Sequence, residues 1–110
     1  TLDANDFRRA MPRMQGEARQ HNMALVNQLE GLAAHKGCTT AQLALAWVLH
    51  QGDDIVPIPG TRREKYLHDN IAALEITLDA DELVALDTLM PRGIAEGTRY
   101  PEAFMKNVNL

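Results

Sequence analysis

The chain of 110 residues has little of several things, and each shortage narrows what it can be. It has one cysteine, Cys38, so no internal disulfide can form and a reducing compartment is expected. Cys38 sits between Gly37 and Thr39, just past an expected helix end, a poor place for a catalytic thiol. Aromatic residues make up only 5% of the chain, so any core must rest on Leu, Ala, Val, Ile and Met. No apolar run is long enough to span a bilayer, and no segment has the basic flank and apolar stretch of a signal peptide. A cytoplasmic protein, or a piece of one, with no membrane partner is therefore expected. Positive charge is also short: the net charge of -4 argues against a general nucleic-acid or anionic-membrane binder, which carries a basic surface. There is no G-x-G-x-x-G and no G-x-x-x-x-G-K-S/T. His21, His35, His50 and His68 have no metal-ligand spacing, and no metal site is expected.

A hydrophobic share of 45% nevertheless fits one ordinary globular segment over residues 1–110. Residues 1–21 are polar and interrupted by Pro12 and Gly16, and read as a loop with a short helical turn around residues 6–10. A helix over 22–36 follows, with Leu25, Leu29, Leu32 and Ala33 on one face and Gly37 as the residue that stops it. Thr39 and Gln42 fit a capping box at the start of a second helix, in which side chain and backbone satisfy each other. The body of that helix, AQLALAWVLHQ, is apolar nearly all round, which suits burial on more than one side, with Trp47 filling the core. Residues 55–58 form a near-continuous apolar run, the pattern of a strand covered on both faces, although Pro57 and Pro59 remove two ladder donors. A helix over 63–74 directs Leu67, Ile71 and Leu74 inward. A short extended piece at 76–78 leads to a last helix, with Asp79 as cap, Glu82 three residues on, and Leu83, Leu86 and Leu89 as its stripe. Residues 94–110 read as an irregular tail. One buried-type strand needs sheet neighbours, and nothing else in the chain convincingly supplies them. Helix, strand, helix is a slice of an α/β fold.

The tightest positive cluster follows that strand directly, in IVPIPGTRR. A strand that ends in a glycine turn and feeds a helix offers free backbone N–H groups and the positive end of the helix dipole, which together favour an anion. Gly60 leaves the backbone approachable and Thr61 carries a hydroxyl. Arg62, Arg63 and Lys65 add cations, and arginine can grip a phosphate with two parallel bonds. Asp69 and Asn70 lie about two turns into the helix, and an Asn amide both donates and accepts, as an adenine edge requires. A bare PGTRR is more often a solvated turn than a site, so the motif alone is weak.

The context makes it specific. AQLALAWVLHQGDDIVPIPGTRREKYLHDNIAALEITLDADEL, residues 41–83, resembles the C-terminal part of the aldo/keto reductase family, closest to members that read IPGT, a basic pair and YL-x-x-N. Upstream, DFRRAMPRMQGEARQHN resembles the DFR…PRFQGEN…N loop of those enzymes. Downstream, EGTRYPEAFMKNVN resembles their GxRYP…M…VN tail. The resemblance implies the C-terminal part of a (β/α)8 TIM barrel, mostly helical as an isolated chain. Residues 22–50 would be helix seven in two pieces, 55–58 strand eight, 63–74 helix eight and 79–89 the extra C-terminal helix. It implies NADP(H) as cofactor and hydride transfer to a small aldehyde or ketone. It also implies that Gly60, Thr61, Arg62, Arg63 and Lys65 meet the adenosine 2′-phosphate, where barrels generally bind phosphates, and that Asp69 and Asn70 hold adenine. Relatives often carry Arg or Gln where this chain has Tyr66, so that position is expected to pack or stack.

The family's catalytic Asp, Tyr, Lys and His come from the first half of the barrel and have no counterpart here; Tyr66 and Tyr100 lie in the wrong segments. A barrel takes about 250 residues. The chain alone is thus expected to be inactive and to self-associate through uncovered apolar faces. Two rivals stand beside this reading. One is a helix–turn–helix at HKGCTTAQLALAWVLHQ, opposed by a second helix without an Arg, Lys or Asn row for base edges. The other is a non-catalytic helical interaction module derived from a reductase C-terminus.

Overall fold

A computed structural model describes residues 2–108. Asn109 and Leu110, the end of the expected tail, lie outside the described residues. Among the described residues there are five α-helices: α1 (Gly16–Lys36), α2 (Thr40–Leu49), α3 (Glu64–Ala72), α4 (Ala80–Leu89) and the single turn α5 (Glu102–Met105). The same residues hold three 3-10 turns, Phe7–Ala10 and Pro12–Met14 ahead of α1 and Ala73–Glu75 after α3. The expected helical character holds. The strand expected at 55–58 does not: no residue there is in a strand, and there is no strand anywhere among the described residues. A strand exists only through a ladder partner. Among the described residues no other segment pairs with it, the extended piece at 76–78 included, and Pro57 and Pro59 weaken the segment as a donor.

The chain divides into two units, residues 1–27 with 91–110, and residues 28–90. The second holds the main core. Leu29 and Ala33 of α1, Leu43 and Ala46 of α2, Leu78, and Leu86 of α4 are buried together. Leu32, Trp47, Leu83 and Leu89 pack against them, half-buried. The stripes read at 22–36 and 79–89 therefore do bury their central residues, Leu29 with Ala33 and Leu86. Trp47 packs as expected, and its indole N–H also donates to Asp87 Oδ1 at 2.8 Å.

Local chemistry sets the helix ends. Gly37 has φ of 74°, the left-handed region where a side chain is costly. Its N–H donates to Ala34 O and the Cys38 N–H to Ala33 O, closing α1 with the paired bonds of a Schellman motif. Thr39 caps α2 and Asp79 caps α4, each in a complete capping box with Gln42 and Glu82. Glu82 does more than cap. Both its carboxylate oxygens also accept from Lys36 Nζ, at 2.7 and 2.8 Å, tying the end of α1 to the start of α4. The ammonium first, then the Asp79 N–H, hold that carboxyl below its ordinary value. Burial pushes the Cys38 thiol up instead, against the pull of Lys36. A raised thiol pKa is the opposite of what a nucleophile needs.

In the first unit, α1 begins at Gly16 rather than at residue 22, so the loop is shorter than expected. Gly16 adopts φ of 50° and turns the chain into the helix. The short turn expected at 6–10 is present as Phe7–Ala10, capped by Asp6. Arg8 bonds the Asp6 carboxylate and holds its pKa at about 2. The tail is less irregular than the sequence suggests, since α5 forms within it. No helix among the described residues is long and apolar enough to cross a membrane.

Candidate functional site

α3 starts differently from α2 and α4. Its N-cap is Arg63, in an extended conformation (φ -129°, ψ 138°), and no side chain bonds the helix's first N–H groups. The N–H groups of Glu64 and Lys65 make no bond among the described residues, while that of Tyr66 donates to Arg63 O at 3.0 Å. Arg62, Arg63 and Lys65 are exposed beside them, and none has a carboxylate partner among the described residues. The structure therefore keeps together, in one exposed stretch, the end donors and the cations that the sequence suggested. Glu64 opposes them, lying in the first turn, and pairs loosely with His68 at 3.6 Å on an exposed face.

Gly60 is exposed, and a Cβ built there meets nothing within 4 Å. Its φ lies outside the left-handed region, so nothing inside this chain demands glycine at 60. Thr61 uses its hydroxyl locally, donating to Arg63 O at 3.0 Å. Tyr66 neither stacks on a ring nor sinks into a core: it is exposed, with Lys65 Nζ 5.8 Å from its ring centroid. Lys65 and Asp69, four apart, share one face of α3.

Asp69 and Asn70 are half-buried. One contact that sequence reading missed ties the backbone of this turn to α2. Gln42, the capping residue of α2, accepts from the Thr39 N–H with its carbonyl at 3.0 Å and donates with its amide to Asp69 O at 3.0 Å. A glutamate could complete the same capping box but would have no donor for Asp69. The choice of Gln over Glu was the only signal available.

Asn70 borders a groove of about 370 Å³ that also takes in Pro59 and the apolar side chains of Leu45, Leu49, Ile55, Val56, Leu67, Ile71 and Leu74. The expectation that Leu67, Ile71 and Leu74 point inward is overturned: they are 46%, 54% and 70% exposed. Val56 and Ile58 are more exposed still, at 81% and 93%. The side of α2 that carries Leu45 and Leu49 is likewise only half-covered. Apolar residues on one face of a helix seek cover, and there is no sheet among the described residues to give it. Among the described residues no cluster of His, Cys, Asp and Glu could hold a metal ion.

Comparison with known proteins gives this arrangement a context. The model of the Aldo/keto reductase family matches residues 2–90. The chain is also 44% identical over 96 residues to the Schizosaccharomyces pombe protein named Aldo-keto reductase yakc, NADP(+). That match covers 87% of this chain and 28% of the relative, so the chain spans well under a third of the relative's length.

Proposed function

The chain belongs to the aldo/keto reductase family, and on that premise we propose that it is the cofactor-clamping C-terminal part of an NADP(H)-dependent reductase of aldehydes or ketones. In the longer barrel, residues 22–50 are helix seven, 55–58 strand eight, 63–74 helix eight and 79–89 the extra C-terminal helix. The observation that supports this best is the open start of α3, where uncapped N–H groups and unpaired cations lie together. A phosphate dianion satisfies both. The relative named for NADP(+) and the family match favour the 2′-phosphate of that dinucleotide as the anion.

The residues fit the group by their donor chemistry. Arg62 and Arg63 present planar forks suited to phosphate oxygens, and Lys65 adds a mobile point charge. The open space over Gly60 admits an approach to the backbone. Thr61 can donate outward only by giving up its bond to Arg63 O. Asn70 has both the donor and the acceptor an adenine edge needs, and Gln42 holds that turn of α3 through Asp69 O. Bound there, NADPH supplies the hydride. This chain's residues bind and orient, and none is assigned to proton transfer. The family's Asp, Tyr, Lys and His belong to a preceding part of a longer protein, so the 110-residue chain alone is expected to reduce no carbonyl compound.

The exposed apolar groove agrees with this reading, because the missing strands of a barrel would cover Val56, Ile58 and Ile71. The same surface supports the second reading, a non-catalytic interaction module that associates through it, with a second copy as the simplest partner. DNA binding gains nothing: α2 has no charged residue at all.

Titration of the natural gene product with NADPH and NADH, for the native protein and Arg62→Ala, separates these. We expect Arg62→Ala to weaken NADPH binding roughly tenfold or more, the scale of one charge-assisted bidentate contact, and to leave NADH unchanged. Equal loss for both dinucleotides, or loss for neither, overturns the assignment. Reduction of a carbonyl substrate by the pure 110-residue chain overturns the division of labour.

A further inference from the structure

We propose that the segment 94–108 is a strap fastened only at 94–97, with the side-chain amide of Asn22 as the principal clasp, and that it is released as a unit when that amide lets go. The inference concerns the first unit only and is independent of the cofactor assignment. Asn22 Nδ2 donates to Glu96 O at 2.9 Å, and Asn22 Oδ1 accepts from the Glu96 N–H at 2.9 Å. One side chain thus holds both polar groups of one residue's backbone, as a neighbouring strand would. The second Nδ2 proton goes to Arg13 O at 3.2 Å, so the amide also grips the segment before α1.

The remaining attachments lie within the same few residues. Arg13 Nε donates to Gly97 O at 3.0 Å, and a His21 ring nitrogen lies 3.1 Å from Ile94 O. At Gly97 the two backbones nearly touch: a Cβ there would stand 2.9 Å from Arg13 N and 3.0 Å from Pro12 C, and φ is 84°. Beyond Gly97 the hydrogen bonds among the described residues are local. Thr98 bonds Tyr100 O, and Phe104, Asn107 and Val108 donate to residues three back. α5 is a single turn, and a lone turn is not stable in water without a surface to lie on. The strap therefore has one fastening, at 94–97, and a far end that depends on it.

Only an amide fits the fastening. A carboxylate at 22 would keep the acceptor for the Glu96 N–H and would lose both donors, placing an anion against the carbonyls of Arg13 and Glu96. Asn22→Asp is therefore a release variant of nearly unchanged shape. The test is amide hydrogen exchange on the natural gene product, read at Phe104, Asn107 and Val108, which Asn22 does not touch, and at Leu43 and Leu83 in the other unit. Expected for Asn22→Asp is exchange at least roughly tenfold faster at the three tail amides, with Leu43 and Leu83 unchanged. Unchanged tail exchange overturns the proposal. So does equal acceleration at Leu43 and Leu83, which would make Asn22 a general stabiliser. Should Asn22→Asp not fold, the exposed Arg13→Ala carries the same test: roughly threefold faster exchange in the tail alone is expected, and no change overturns it.

Discussion

Helices α2 and α4 begin in one way and α3 in another. The first two close their ends upon themselves: Thr39 with Gln42 and Asp79 with Glu82 exchange bonds in both directions. α3 leaves its end open and places an arginine where Ser, Thr, Asp or Asn would stabilise it. For folding alone, Arg63 is a poor choice. For holding an anion it is a good one, since a capping carboxylate would fill the site with the wrong charge. The difference separates ends shaped for stability from an end kept available.

The comparison can be pressed at four points. The largest loss of stability is expected from Glu82→Ala, which removes a cap half and the Lys36 ion pair together. The same carboxyl makes a pH prediction. Its folded-state pKa lies below the unfolded value, so the folded protein resists its protonation. Its contribution is complete above the ordinary glutamate range and is lost as pH falls through the folded value. Acid titration of thermal stability should therefore have a shallower limb in Glu82→Gln. Thr39→Ala, which opens the start of α2, should cost about 1 kcal/mol in chemical denaturation. Arg63→Asp runs the other way: closing α3 should raise stability by up to about 1 kcal/mol and weaken NADPH binding. A variant that gains stability and keeps full affinity would break the contrast. The smallest effect on folding belongs to Gly60→Ala, within about 0.5 kcal/mol, because no contact and no left-handed φ constrains it. Its effect on NADPH affinity should be larger if the ligand approaches the backbone there.

What could be read from the sequence was local. The capping pairs Thr39–Gln42 and Asp79–Glu82, the left-handed Gly37 and the Leu29–Ala33 stripe each depend on residues within a few positions, and all are found. Residues 55–58 and the face of Leu67, Ile71 and Leu74 failed because their pattern describes partners that this chain does not hold. A buried-type sequence states what should cover it and cannot provide the cover. Gly16 misled because glycine usually ends a helix, and here a positive φ begins one. Gln42 and Asn22 went unseen because their second partners, Asp69 and Glu96, are distant in sequence. For the turn at 60–65 the residue types were legible; the freedom of Arg62, Arg63 and Lys65 from carboxylate partners among the described residues was visible only in the structure.

The way the two units are cut from the chain also sets an order of assembly. Residues 28–90 are continuous, so during synthesis that unit can collect its buried leucines before the tail exists. Asn22 cannot. Its bond to Arg13 O spans only nine positions, but its two bonds to Glu96 span 74 and cannot form until Glu96 has left the ribosome. Closing so long a loop is made easier when the intervening residues have already collapsed, because the ends then search a smaller volume. The bonds of the amide at 22 to Glu96 should thus close after residues 28–90 have collapsed, and a refolding experiment should find the first unit completed after the second.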